Sequence, residues 1–181
     1  MGLTGDLPGD ARREMTAADM CRLLDLVESL GIEIWLDGGW AVDAWLGRQT
    51  RRHADVDIVI ERRELATLAD ALRVRGYRDV PRDDTRPWNF VLGDPAGHEV
   101  DVHVIELASD GTGIYGPRPP EFTFPADSLS AVTMLCGRPV RAIPPHRLVE
   151  FHGGYEPDDD DRADVLALCE RFDIEIPPTY R

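Results

Sequence analysis

Three aspartates on two strand-like segments are the residues of this sequence best suited to chemistry. Asp55 and Asp57 flank Val56 in one apolar-alternating segment, and Asp101 stands in a second. Residues i and i+2 of a strand point to the same face, so the first two carboxylates project together. Carboxylates held so close repel each other unless a cation lies between them, and Mg²⁺ takes carboxylates together with phosphate oxygens. The spacing therefore predicts a magnesium site for phosphoryl or nucleotidyl transfer.

A diglycine, Gly38-Gly39, lies seventeen residues before this aspartate pair. It separates a buried strand-like stretch at 32–36 from a short helical stretch at 40–46, and we interpret it as a turn. Such a turn lets bare backbone approach a phosphate at a helix N-terminus. Taken by itself, the diglycine is explained equally well by an ordinary tight turn. Taken by itself, the aspartate pair is explained by an exposed turn with two solvated carboxylates. Three cations suited to phosphate oxygens follow the helix: Arg48, Arg51 and Arg52.

The elements that must position these residues follow from apolar periodicity. Apolar residues recur at helical spacing from 20 to 27, with Thr16 suited to cap the helix and Gly31 suited to end it. Further elements are predicted in chain order: a strand at 56–60, a helix at 65–72 closed by Gly76, and antiparallel strands at 88–92 and 99–105.

The last of these strands carries three polar residues on one face, Glu99, Asp101 and His103, opposite a valine face. This alternation predicts a sheet face that lines a cleft, although a sheet with one solvated side alternates in the same way.

The C-terminal part of the sequence predicts smaller elements. These are a glycine- and proline-containing loop at 109–120, short strands at 121–124 and 140–143, a helix from Pro144 to His152, and a final helix headed by 158–161. We interpret the acidic run at 158–160 as structural, because negative charge at a helix N-terminus is stabilising. The predicted fold class is α/β (α+β), with a mixed sheet flanked by helices and a small C-terminal helical appendage.

Composition limits the partners. The chain has 181 residues, 43% of them hydrophobic, and we expect one domain, no membrane span, no signal peptide and a cytoplasmic location. A net charge of −14 disfavours nucleic acid as partner and would attract a cationic small molecule, although solubility explains the charge equally well.

The three cysteines, Cys21, Cys136 and Cys169, are widely spaced and odd in number. The spacing predicts neither a disulfide framework nor a zinc site. Cys21 and Cys169 fall on apolar helix faces and are interpreted as core residues.

The segment 35–60, WLDGGWAVDAWLGRQTRRHADVDIVI, resembles the signature of the small antibiotic nucleotidyltransferases. The lincosamide nucleotidyltransferases are most similar and the aminoglycoside 2″-nucleotidyltransferases a little less so, both within the polymerase-beta-like superfamily. Asp101-Val-His103 is similar to the family's later D-[LI]-H element. The segment from His152 to Tyr155, followed by Asp161 and Asp164, resembles its H-x-G-Y…D-x-x-D ending. The resemblance covers residues 15–172 and is weakest between 78 and 97, where the acceptor would bind.

The resemblance implies roles for the matching residues. Asp55 and Asp57 would hold metal, with two Mg²⁺ ions expected, and Gly38-Gly39 would receive the triphosphate, assisted by the three arginines. Asp101 would be the third carboxylate, as metal ligand, as general base, or as both. Residues expected to contact the acceptor or support the site are Glu99, His103, His152 and Tyr155.

The implied fold is a nucleotidyltransferase core at 15–110, with a tail at 1–14 before it and strands and helices at 111–181 packed on it. The implied reaction moves a nucleoside monophosphate from ATP or GTP to a hydroxyl of a small, cationic, antibiotic-like molecule and releases pyrophosphate. Alternatives are a nucleotidyltransferase that modifies a protein or belongs to a toxin–antitoxin pair, and a non-catalytic nucleotide-binding relative. No nucleic-acid or membrane partner is expected, and a homodimer is left open.

Overall fold

A mixed sheet with one parallel strand pair at its centre organises the molecule. The computed structural model describes residues 14–120, 122–154 and 156–181. Within these ranges the strands of the sheet are β1 (Ile34–Leu36), β2 (Asp55–Glu61), β3 (Arg78–Val80), β4 (Asn89–Gly93), β5 (Glu99–Leu107), β6 (Gly113–Tyr115) and β7 (Phe122–Phe124). Their order is β1-β2-β5-β4-β3, while β6 pairs with the end of β5 and β7 with β6. The sheet therefore continues past residue 110.

The β2–β5 pair is parallel, and the other pairings in this sheet are antiparallel. Its register places Asp57 beside Asp101, and Asp55 beside Glu99. Neighbours at the same register point to the same face of a sheet, so polar residues of the two strands meet there. Residues on the opposite face of both strands are fully buried: Val56, Ile58, Val100 and Val102.

Five helices pack around the sheet in the described part of the chain: α1 (Ala17–Leu30), α2 (Gly38–Leu46), α3 (Arg62–Val74), α4 (Pro145–Phe151) and α5 (Asp159–Phe172). Thr16 caps α1 with a reciprocal capping box, and Gly31 ends it with a left-handed φ of +65°, so both predicted ends are confirmed. Asp158 and Asp161 form a second capping box at the start of α5. The structural interpretation of the acidic run is confirmed for Asp158, which caps α5.

The structure differs from the sequence prediction at the diglycine. Gly38 and Gly39 form the first turn of α2 instead of a turn before it, and the Asp37 carboxylate accepts a hydrogen bond from the Gly38 N–H at 2.9 Å. Asp37 thus caps the helix. An aspartate before a helix is a recognisable cap signal, but glycine's low helix propensity favoured a turn.

The predicted loop at 109–120 contains β6, which the sequence did not reveal. Three residues carry too little pattern to mark a strand, and β6 is formed by pairing with β5. The strand predicted at 121–124 is observed from Phe122, and Glu121 lies outside the described residues. The strand predicted at 140–143 is β9 (Arg138–Arg141), which forms a separate hairpin with β8 (Val132–Leu135).

The cysteine prediction was wrong for one pair. Cys21 on α1 forms a disulfide with Cys136 in the turn between β8 and β9, with the two Cα atoms 5.7 Å apart. A separation of 115 residues gives no local signal, so only the packing of the hairpin against α1 brings the thiols together. Cys169 is free and buried, and its interpretation as a core residue is confirmed. Among the described residues, no helix combines the length and the apolar character needed to cross a membrane.

We predict that Cys136→Ser lowers the free energy of unfolding by about 2–5 kcal/mol without reductant, because the cross-link restricts the unfolded chain. Urea denaturation with and without dithiothreitol measures this difference. The reductant should abolish the gap between wild type and variant. Cys169→Ser is the control, since its cost arises from burial and should be the same with and without reductant. If dithiothreitol leaves the urea transition of the wild type unchanged, the result would argue against the Cys21–Cys136 disulfide.

Candidate active site

Asp57, Asp101 and His103 form the centre of the site. Each offers one ligand atom, and the three atoms lie within 4.8 Å of one another. The register of β2 and β5 brings the two carboxylates together, and His103 follows Asp101 on the same face of β5. The expectation that this polar face lines a cleft is met, because its residues border two cavities described below.

The Asp101 carboxylate lies in an unfavourable environment for a charge. Burial raises its pKa to about 6, and the carboxylates of Asp57, Asp55 and Asp84 act in the same direction, against the lowering effect of His103. Asp101 Oδ1 is buried and has no hydrogen-bond partner in the described part of the chain. A buried carboxylate oxygen without a partner is costly, so this oxygen is suited to bind a cation.

His103 provides positive charge at this point. Its Nδ1 lies 3.0 Å from Asn89 Oδ1, and its Nε2 lies 3.8 Å from Asp57 Oδ1. Burial alone would lower the pKa of the imidazole, but the contact with Asp57 and the charges of Asp101 and Asp37 outweigh burial and raise the pKa to about 9. Protonated His103 therefore balances part of the carboxylate charge.

The group fits a hard divalent cation. Ligands of an octahedral Mg²⁺ at about 2.1 Å lie roughly 3.0 to 4.2 Å apart, and small side-chain shifts would bring Asp57 and Asp101 into that range. Two carboxylates match the oxygen preference of Mg²⁺, whereas the imidazole is better suited to softer metals. Asp57 and Asp101 are therefore the side chains suited to bind the cation. A bound cation would balance their charge in place of protonated His103.

One cavity, of about 360 Å³, opens on the Asp57 side of this centre. We call it the diglycine cavity. It is lined by Asp37, Gly38, Gly39, Arg51, Asp57, His103, Phe151, His152 and Asp161. Glycine backbone, a helix N-terminus and an arginine meet here, which is the combination expected to receive phosphates.

Arg51 is fixed in this cavity by the last helix. Its Nη2 donates to Asp164 Oδ2 at 2.8 Å, and its Nη1 lies 3.3 Å from Asp160. Asp164, the second aspartate of the D-x-x-D ending, is buried and holds Arg51 in position. The other two predicted phosphate-binding arginines lie elsewhere: Arg52 is exposed and pairs with Glu14 at 2.8 Å, and Arg48 is exposed.

The diglycine has no room for side chains. A Cβ on Gly38, whose φ is +54°, would lie 2.1 Å from Asp57 Oδ2. A Cβ on Gly39 would lie 2.6 Å from Arg51 Nη2 and from the His53 ring. Both glycines therefore allow protein side chains of the site to approach the start of α2.

His152 also lines the diglycine cavity. Its Nδ1 lies 2.7 Å from the Leu148 carbonyl oxygen, which fixes the ring, and its Nε2 lies 3.5 Å from Asp161 Oδ1. Tyr155, the other residue expected here, lies outside the described residues.

A second cavity, of about 230 Å³, opens on the other side of the carboxylate pair. We call it the acidic cavity. It is lined by Asp55, Arg82, Asp84, Thr85, Asn89, Phe90, Val91, Glu99 and Asp101. Asp55 thus borders this cavity, whereas Asp57 borders the other. Glu99, predicted to support the site, accepts from Arg82 Nη2 at 2.7 and 2.8 Å.

Sequence reasoning missed several residues of the site. Asp37 could have been recognised as a helix cap before the diglycine. Arg82, Asp84 and Asn89 lie on or beside a loop without local pattern, and only the sheet pairing brings them to the centre.

The sequence is similar to a family of known enzymes over most of its length. The family model for aminoglycoside-2″-adenylyltransferases matches residues 19–168. The chain belongs to that family. A lincosamide resistance protein of Staphylococcus haemolyticus is 29% identical over 155 residues, which cover 85% of this chain and 94% of the relative. A 2″-aminoglycoside nucleotidyltransferase of Escherichia coli is 41% identical over 54 residues, 28% of this chain and 30% of the relative.

Solved structures of adenylyltransferases share the fold. A lincosamide antibiotic adenylyltransferase bound to lincomycin matches with a TM-score of 0.76 at 27% identity, covering 90% of this chain and all of that one (100%). The aminoglycoside enzyme ANT(2″)-Ia in complex with adenylyl-2″-tobramycin matches with a TM-score of 0.64 at 18% identity, covering 86% and 88%. The predicted family resemblance and mixed α/β fold are confirmed, and this member of the family is a nucleotidyltransferase.

We predict that Gly38→Ala disrupts the centre beyond its effect on the backbone. Gly47→Ala is the matched control, because Gly47 also has a left-handed φ, +72°, but its Cβ would meet nothing within 4 Å. Both variants should lose about 1–2 kcal/mol of stability from backbone strain. Gly38→Ala should in addition displace the Asp57 carboxylate and abolish the rise in melting temperature caused by millimolar Mg²⁺. An equal Mg²⁺ response in both variants would contradict the close approach to Asp57.

The raised pKa of His103 predicts a pH-dependent stability of the metal-free protein. The folded state keeps the proton up to about pH 9, whereas an unfolded histidine loses it near 6.5. The stabilisation is therefore complete below pH 6.5 and is lost as the pH rises through 9, by up to about 3 kcal/mol.

Denaturation in EDTA between pH 6.5 and 9.5 measures this change, and His103→Gln should remove it. Asp101, with its pKa of about 6, titrates below this window. Wild type and variant with parallel pH profiles would refute the assignment.

Proposed function

We propose that this protein transfers a nucleoside monophosphate from a nucleoside triphosphate, ATP or GTP, to a hydroxyl group of a small antibiotic of the lincosamide or aminoglycoside type. Pyrophosphate is the second product, and the reaction depends on Mg²⁺. The cytoplasm, which holds the triphosphate pool, is the proposed compartment, and its reducing conditions would open the Cys21–Cys136 disulfide.

One observation carries the proposal: two cavities meet at the Asp57–Asp101 pair, one with a helix N-terminus and Arg51 in its wall and the other with four carboxylates. The diglycine cavity offers a helix N-terminus and Arg51 to an anion. The acidic cavity offers carboxylates to a cation or to hydroxyl groups. A triphosphate on one side and an acceptor on the other would place the α-phosphorus and the acceptor hydroxyl at the shared carboxylates. The family membership and the lincosamide relative support the same assignment.

The residues of the chain have distinct tasks in this reaction. The start of α2 and Arg51 hold the triphosphate and fix the direction of its chain. Asp57 and Asp101 would hold Mg²⁺, with Asp55, which lines the same cavity as Asp101, as the third expected ligand for the two ions. Bound there, Mg²⁺ neutralises phosphate charge and lowers the pKa of the acceptor hydroxyl. The Asp101 carboxylate is placed to take the hydroxyl proton at the border of the acidic cavity.

The bond that forms joins the acceptor oxygen to the α-phosphorus. The bond that breaks joins the α-phosphorus to the bridging oxygen, and pyrophosphate leaves with that oxygen.

We predict that Asp101→Asn lowers kcat by about 10²-fold or more, because it removes the positioned base, while nucleotide affinity falls less than turnover. A loss of nucleotide affinity as large as the loss of turnover would make Asp101 chiefly a metal ligand. Asp57→Asn should lose both turnover and Mg²⁺-dependent nucleotide binding. Asp70→Asn is the matched control, since Asp70 lies exposed on α3, away from both cavities.

The assay incubates each protein with ATP or GTP and a panel of lincosamides and aminoglycosides, and reads the acceptor by mass. An Asp57→Asn variant that keeps more than about a tenth of wild-type turnover would refute the metal assignment, because losing a group that stabilises developing charge costs orders of magnitude. Wild-type protein that labels another protein and no antibiotic would favour the protein-modifying alternative.

A further inference from the structure

We infer that Arg82 determines which acceptors the acidic cavity prefers. Its positive charge favours molecules with a single ammonium group over polycations. The inference rests on the proposed function and specifies the substrate class of the same site.

Arg82 is held firmly within the acidic cavity. Its Nη2 donates to both carboxylate oxygens of Glu99, at 2.8 and 2.7 Å, and the Glu99 residue is only 9% exposed. The Arg82 N–H donates to Thr85 Oγ1 at 2.8 Å, and the Arg82 carbonyl accepts from the Thr85 N–H at 3.1 Å. The guanidinium therefore has a fixed position beside a buried carboxylate, and its backbone is fixed by a tight turn.

The charge of the cavity depends on this residue. Four carboxylates line the cavity, those of Asp55, Asp84, Glu99 and Asp101, and Arg82 is the one cationic side chain among the described residues that line it. Its guanidinium cancels the charge of Glu99 and repels any second cation. An acidic cavity without Arg82 would attract polyamines strongly, whereas the cavity as built attracts them less.

The effect grows with the charge of the acceptor. Each ammonium group within or near the cavity interacts with the guanidinium, so a polyamine loses more binding energy than a monoamine. The cavity is also smaller than the roughly 300–1,000 Å³ that buries a whole drug-sized ligand, so part of the acceptor stays outside. A monoamine can place its single charge near the carboxylates, whereas a polyamine must bring further charges within range of the Arg82 guanidinium.

The test compares tobramycin, a polyamine, with lincomycin, a monoamine, as acceptors at pH 8. We expect Arg82→Gln to raise the ratio of kcat/KM for tobramycin to that for lincomycin by about tenfold, mainly through KM. Glu99→Gln should shift the ratio in the opposite direction, because it leaves the guanidinium charge unbalanced. Should Arg82→Gln fail to fold, Glu99→Gln still decides the inference.

Two further variants separate charge from structure. The double variant Arg82→Gln/Glu99→Gln removes one positive and one negative charge, so its ratio should return to within about threefold of wild type. Arg86→Gln is the matched control, because Arg86 lies in the same loop but donates to the backbone carbonyls of Asp83 and Thr85. Its ratio should equal that of wild type.

The inference is overturned if Arg82→Gln and Arg86→Gln shift the ratio equally, or if the double variant keeps the raised ratio. Calorimetry measures the ratio of the two binding affinities without turnover. Binding with the expected shifts but no transfer to either acceptor would refute the proposed function and support the role of Arg82. If the protein transfers the nucleotide group but Arg82→Gln leaves the ratio unchanged, the proposed function is supported and the role of Arg82 is refuted. A wild-type protein that binds neither probe would refute this inference.

Discussion

Repulsion between Asp57 and Asp101 is the interaction around which the site is arranged. The parallel register of β2 and β5 places these carboxylates side by side, and partial burial raises the pKa of the Asp101 carboxyl group. The surrounding residues reduce this cost in the metal-free protein. His103 holds a proton well above its usual pH range, and the absence of a side chain on Gly38 leaves the Asp57 carboxylate in place. A divalent cation between the carboxylates would remove the same repulsion, so the metal-free fold is prepared for one.

The last helix contributes to the site although it shares no strand with it. Asp164 on α5 binds Arg51, and Arg51 lies against Gly39 at the start of α2. An arginine that is already bound on one side presents its remaining N–H groups in a defined direction. The pairing explains why a C-terminal aspartate belongs to the same motif as the diglycine far ahead of it in the sequence.

Local patterns in the sequence predicted the parts of the fold that local physics determines. The capping of α1 by Thr16, the antiparallel strands around the turn at 93–97, and the shared face of Glu99, Asp101 and His103 all follow from patterns a few residues long. The register that sets Asp57 beside Asp101 does not, because a shift by two residues would keep the same faces. Contacts that depend on tertiary packing could not be predicted from local patterns either. They are the disulfide of Cys21, the Arg82–Glu99 ion pair and the ion pair between Arg51 and Asp164 of α5.

In the oxidised protein, the disulfide also sets a closed ring apart from the open segments before and after it, at 1–20 and 137–181. Residues 21–136 form a covalently closed ring that contains both carboxylates of the centre, while 137–181 form an open arm that carries Asp164 and His152. Cooperative units of a protein can open separately, and a segment outside the ring can open without any change in the covalent loop. Detachment of the arm would free Arg51 and open the diglycine cavity without separating Asp57 from Asp101. Opening of the diglycine cavity and separation of the two carboxylates would then be distinct events in one small domain.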